Sequence, residues 1–126
     1  MLKQVHIPMK STLFVLLAAF IVFMSSCGKD DPDMEDCTGI TPTYTSDIKA
    51  ILDASCAKSG CHDPITKQNG FDFSTYATAE PISQMDVFLG AVQHKDGYTP
   101  MPNDGGKLPD SQIKLLTCWV QNGSPE

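Results

Sequence analysis

Two thiols and an imidazole stand close together in Cys56-Ala57-Lys58-Ser59-Gly60-Cys61-His62. The pattern is C-x4-C-H, with two more residues between the cysteines than the C-x-x-C-H of covalent haem attachment. In that chemistry the cysteines become thioethers to the porphyrin edge, and the histidine turns its ring onto the iron as proximal ligand. A ligand for the opposite face is offered by Met101, in Tyr98-Thr99-Pro100-Met101-Pro102-Asn103-Asp104-Gly105-Gly106. Two prolines there stiffen a loop around a thioether. The same residues have plainer readings. Cys56 and Cys61 could pair as a disulfide with His62 incidental. A zinc site could draw on Cys56, Cys61, His62 and His94, although the ligands lack the usual paired spacing. Met101 could be an ordinary loop or core methionine, which would leave Met85 or His94 as the sixth ligand.

The elements that must position these groups read as helices. Ser46 to Ala54 has an N-cap serine, Asp47 in the first turn and Ile48, Ile51 and Leu52 on one face, and it runs directly into Cys56. Phe71, Phe73 and Tyr76 form an aromatic group, with Ser74 a cap for a short turn after them. Pro81 to about His94 is expected to be one helix, with Ile82, Met85, Phe88, Leu89 and Val92 at helical spacing and Pro81 in its first turn. The last helix has Pro109 near its start, Asp110 in its first turn, and Ile113, Leu116, Trp119 and Val120 along one stripe. Asn122-Gly123 stops it. No stretch alternates as a strand does. The expected fold class is therefore all-α, with three to four short helices joined by long loops. So thin a core ordinarily requires a staple or a cofactor.

Ahead of these elements lies a different kind of segment. Lys3 and Lys10 precede an apolar run, Leu13 to Met24, that ends at Ser25-Ser26-Cys27-Gly28. The run has the length of a signal-peptide core and falls short of the roughly 20 apolar residues of a spanning helix. Met24-Ser25-Ser26-Cys27 resembles the lipobox of bacterial lipoproteins, which implies cleavage after residue 26 and acylation of Cys27. Residues 27–37 then form an acidic, solvated tether, and residues 38–126 the domain. The tether resembles the lysine-plus-acid stretch that directs lipoproteins to the cell surface in some Gram-negative lineages. The implied location is the bacterial envelope, lipid-anchored in the outer membrane on its periplasmic or surface face.

Without residues 1–26 the chain keeps 7 of its 9 lysines and all 15 acidic residues, a formal charge of −8, and it has no arginine. Such a surface repels phosphate backbones, so nucleic acid is excluded as a partner. A protein partner would present a basic patch. There is no nucleophile and base pair with local spacing and no phosphate loop, so catalysis is not expected.

Together these residues resemble the small class I cytochrome c-like domains of bacterial envelope proteins. The likeness covers roughly residues 38 to 125: a helix leading into the Cys56–His62 motif, the Gly70-Phe71-Asp72-Phe73-Ser74-Thr75-Tyr76 stretch, the Met101-Pro102 loop, and a last helix bearing Trp119 and ending in Asn122-Gly123. It implies a small helical bundle around one covalent haem c, thioethers at Cys56 and Cys61, and His62 proximal and Met101 distal on the iron. The implied function is electron transfer with redox partner proteins of the envelope. If Cys56 and Cys61 hold haem, Cys37 and Cys118 remain, and the family's crossing of first and last helices would bring them together as a disulfide. A second function class stands beside it: a haem-free, disulfide-stabilised envelope lipoprotein acting as a binding module.

Overall fold

The structure, a computed structural model, describes residues 35–126; the expected signal segment, the expected lipidation site at Cys27 and most of the expected tether lie outside the described residues. The regular elements of the described chain are all helices, four of them α-helices, with no strand among the described residues. A π-helical turn, Tyr44–Ile48, leads without a break into α1, Lys49–Ser55. Its cap is Thr43 rather than Ser46. The Thr43 hydroxyl accepts from the Ser46 N–H at 3.3 Å, and the Thr43 N–H donates to the Asp47 carboxylate at 3.0 Å. This reciprocal pairing satisfies donors at both ends of the first turn, which a lone serine inside it could not do. Tyr44, Ile48, Ile51 and Leu52 are buried on one stripe.

The helix expected from Pro81 to His94 is instead two. α2, Tyr76–Ser83, carries Pro81 in its interior and is capped by the Thr75 hydroxyl, which accepts from the Thr78 N–H; Ser74 bonds Asp72 instead. The chain breaks at Gln84 and the extended Met85, and α3 restarts at Asp86–Gln93. Proline's missing donor and its crowding act on the turn before it, which stays helical here from Tyr76, so the break lies beyond Pro81, where Met85 turns extended and its N–H donates to the Ile82 carbonyl at 3.0 Å. α3 closes on His94, whose backbone is left-handed (φ 58°), with the Lys95 N–H donating to the Gly90 carbonyl at 2.9 Å. α4, Asp110–Gln121, starts after Pro109 and stops at Asn122-Gly123 as its residues indicate.

The core gathers the inner faces of all four helices around Trp119, Leu116, Ile48 and Leu52, each fully buried. The aromatic group expected from Phe71, Phe73 and Tyr76 divides in two. Tyr76 joins Tyr44 at 5.3 Å between ring centroids, and Tyr44 in turn meets Trp119 at 6.2 Å. Phe73 instead meets Phe88 at 5.6 Å and the His62 ring edge-on at 5.3 Å. Cys37 and Cys118 form a disulfide, Cα to Cα 5.4 Å, which joins the segment before α1 to the last turn of α4. The residues after α4 fold back under the core. Trp119 Nε1 and the Tyr44 N–H both donate to the Pro125 carbonyl, the Tyr76 hydroxyl donates to the Ser124 carbonyl, and the buried Ser124 hydroxyl bonds Ser83 and Gln84.

Candidate functional site

α1 delivers Cys56 directly: its N–H still donates to the Leu52 carbonyl at 2.8 Å, so the thiol sits at the helix end, 8 % exposed. The six residues that follow form a tight loop. Cys61 N–H donates to the Lys58 carbonyl (2.9 Å) and His62 N–H to the Cys56 carbonyl (3.1 Å), while Gly60 takes the left-handed conformation (φ 83°) that the turn requires. The organiser of this loop is Asp63. Its carboxylate accepts from the backbone N–H groups of Gly60, Ile65 and Thr66 at 2.9–3.0 Å. These bonds, foremost those from Thr66 and then Ile65, hold the carboxyl well below the usual range, at about 2. An aspartate before Pro64 is a common turn former, so an Asx signal was there to be read in the sequence.

On the far wall, α3 carries Phe88, Ala91 and Val92, and the Ala91 carbonyl accepts from the Met101 N–H at 3.0 Å. This bond sets the Pro100-Met101-Pro102 loop against the helix. His94 Nε2 lies 3.1 Å from the Met101 carbonyl oxygen, which fixes the loop from its other side. Lys58 and Asp104 meet at 3.2 Å across the two loops, both exposed, so the pair contributes little to stability.

Two neighbouring clefts result. One, of about 140 Å³, is lined mainly by Phe71, Phe73, Ile82, Phe88 and Val92, with His62, Cys56 and Met101 on its remaining wall. The other, of about 160 Å³, is lined by Ser55, Cys56, Cys61, His62, Gln68 and the residues from Met101 to Asp104. The four residues singled out in the sequence, Cys56, Cys61, His62 and Met101, therefore share one cleft. Cys56 and Cys61 are free thiols, not a disulfide. Burial, and secondarily the charge of Cys61, pushes the Cys56 thiol up to about 11, so it is protonated at neutral pH. His62 is 7 % exposed, tucked against Phe71 and Phe73, and its Nδ1 is buried with no hydrogen-bond partner. Ile82, Phe88 and Val92, which their spacing marks only as a packing stripe, build the cleft wall.

The electron-transfer expectation is corrected by this geometry. Among the described residues no three His, Cys, Asp or Glu side chains are grouped so as to hold a metal ion. That removes the zinc arrangement of Cys56, Cys61, His62 and His94, and His94 is engaged with the Met101 carbonyl. Met85 caps α3, 48 % exposed, and lines a separate cleft. A porphyrin requires at least the ~300–1,000 Å³ of sites that enclose drug-sized ligands. Neither cleft by itself reaches that volume. With the Cys37–Cys118 disulfide already stapling the thin core, the haem-free reading fits the chain better than a haem carrier does.

Comparison of the chain with protein-family models, with curated proteins and with solved structures finds no match.

Proposed function

We propose that this protein is a haem-free, disulfide-stabilised binding module of the bacterial envelope, anchored through lipidated Cys27, whose ligand site is the apolar cleft between the Cys56–His62 loop and α3. The observation that carries this reading is the cleft itself. A few polar side chains on an otherwise apolar concave wall are what small-molecule sites share. The disulfide supports it by holding the two ends of the fold together, so that α1 and α4 form a rigid frame. Burying ~100 Å² of apolar ligand surface here would favour binding by roughly 2–3 kcal/mol before the cost of association.

The test uses the exported domain, produced with and without a haem-ligation system. Both products are expected to have the same mass, that of a polypeptide with one disulfide and two thiols. Toluene at millimolar concentration should shift the backbone resonances of Phe73, Phe88 and Val92 in NMR spectra. Ala91→Phe, which fills the cleft, should abolish those shifts. A product that keeps haem in denaturant, or an unresponsive cleft, would overturn the proposal. For the anchor, Cys27→Ser should move the full chain from the membrane fraction to the soluble one; unchanged membrane association would rule out lipidation there.

A further inference from the structure

Of the four cysteines among the described residues, Cys37 and Cys118 are joined, while Cys56 and Cys61 are free thiols on one cleft. A chain that holds a disulfide matures where thiols are oxidised, so the second two are a pair that an oxidant can still join. Their backbones are close. The His62 N–H donates to the Cys56 carbonyl at 3.1 Å, and a peptide N–H points roughly at right angles to the line from its nitrogen to the preceding Cα. With standard bond lengths this contact brings the Cα atoms of Cys56 and Cys61 to within about 7 Å, the reach of a disulfide. The Cys56 thiol also feels the charge of Cys61.

The two thiols differ in access. Cys61 is partly exposed and lines the cleft beside Ser55, Gln68, Asn103 and Asp104, whereas Cys56 is 8 % exposed at the end of α1. Burial raises the Cys56 thiol from 9.0 to about 11. At neutral pH its thiolate is then about a hundredfold rarer than that of an ordinary cysteine. A more basic thiolate is also a better nucleophile, which restores about tenfold, so Cys56 should still attack an outside disulfide about tenfold more slowly, before its shielding is counted.

We infer that Cys56 and Cys61 are a reversible dithiol–disulfide site for small disulfides, with Cys61 reacting first and Cys56 resolving. This chemistry is separate from ligand binding in the apolar cleft and does not depend on it. The Cys61 thiolate, its proton lost to water, attacks one sulfur of the small disulfide; that S–S bond breaks and the first small thiolate leaves, taking up a proton. The Cys56 thiolate, its proton likewise lost to water, then attacks Cys61 Sγ in the mixed disulfide and expels the second small thiolate, which is protonated in turn. Two protein thiols and one small disulfide become one protein disulfide and two small thiols, so two electrons pass from the protein to the small molecule. A reducing dithiol reverses the sequence.

The intact domain, incubated with the uncharged bis(2-hydroxyethyl) disulfide, quenched with acid, alkylated with N-ethylmaleimide and mapped by peptide mass, tests this. Early in the time course the mixed disulfide should lie on Cys61. In excess probe the protein should finally lose two hydrogens, take up no maleimide and yield a Cys56–Cys61 cross-linked peptide, which dithiothreitol returns to two thiols. Cys56→Ser should stop at the Cys61 mixed disulfide, and Cys61→Ser should be modified at Cys56 at least about tenfold more slowly than Cys56→Ser is at Cys61. Should either variant fail to fold, the time course on the natural sequence decides. A Cys61 mixed disulfide that never gives way to the cross-linked peptide would overturn the pairing, as would two thiols left unreacted in excess probe. Early modification of Cys56 ahead of Cys61 would overturn the order of reaction.

Discussion

At the scale of single residues, Asp63 is the side chain on which the site's shape most depends. Its three backbone bonds fold Gly60 to Thr66 into the loop that carries Cys61 and His62. Because its folded pKa, about 2, lies below the ordinary 3.8, the stabilisation is complete above about pH 4 and is lost as pH falls through about 2. Asp72, lowered chiefly by the bonds it accepts from Ser74, and Asp104, lowered chiefly by Lys58, act in the same direction. Asp63→Asn should therefore lower stability at neutral pH and make it less sensitive to acid between pH 4 and 2. Urea unfolding at a series of pH values measures this; an unchanged acid slope would show that the carboxylate is not what the loop depends on.

Among the helices, α3 does most to shape the cleft, and Gly90 shows what constrains it. An added Cβ at this position would sit 2.5 Å from the Tyr98 ring, closer than carbon atoms approach. In an exposed helix interior, exchanging glycine for alanine is worth about 0.5–1 kcal/mol of stabilisation. Here the sign should reverse. Gly90→Ala is expected to destabilise by about 1–2 kcal/mol because the whole Tyr98 ring must leave its place. Combined with Tyr98→Ala, the same change should recover its ordinary helix-favouring effect. Thermal denaturation of the four members of this cycle reads the coupling directly, and additive effects would refute the contact. Displacing Tyr98 also disturbs the loop that brings Met101 to the cleft, so the double variant is expected to bind toluene less tightly.

For the whole molecule, stability rests on a small helical core, one disulfide and the returning end of the chain. The Cys37–Cys118 bond closes a sequence separation of 81 residues. On the chain-entropy account, a loop of that length contributes about 4–5 kcal/mol by restricting the unfolded chain. Paired replacement, Cys37→Ala with Cys118→Ala, should lower the unfolding free energy by about that amount, measured with urea, without changing the NMR shifts of the cleft at low temperature. A loss below about 1 kcal/mol would place the stabilisation elsewhere. The Ser124 and Pro125 contacts, which tie Tyr44, Tyr76, Ser83 and Trp119 together, are the natural second contributor.

Much of the frame is legible in the sequence by itself, because helices are local. The stripes of Ile48, Ile51 and Leu52 and of Leu116 and Trp119, the start at Pro109 and the stop at Asn122-Gly123 depend on spacing and backbone chemistry within a few residues. Residue types also brought Cys56, Cys61, His62 and Met101 to notice as a set, and the structure places all four on one cleft. What spacing could not supply was the occupant of the space between them. Whether a thiol is buried and protonated, whether an imidazole is left without a partner, and how much volume remains after Phe71, Phe73 and Phe88 have packed are sums over residues distant in the chain. The same holds for the break at Met85, the division of the aromatic residues between two clusters, and the role of Ser124, whose partners lie 40 and 41 positions away. Local rules set where helices begin and end; only tertiary packing, which fills space between segments that carry no sequence signal toward each other, decided the size and chemistry of the cleft.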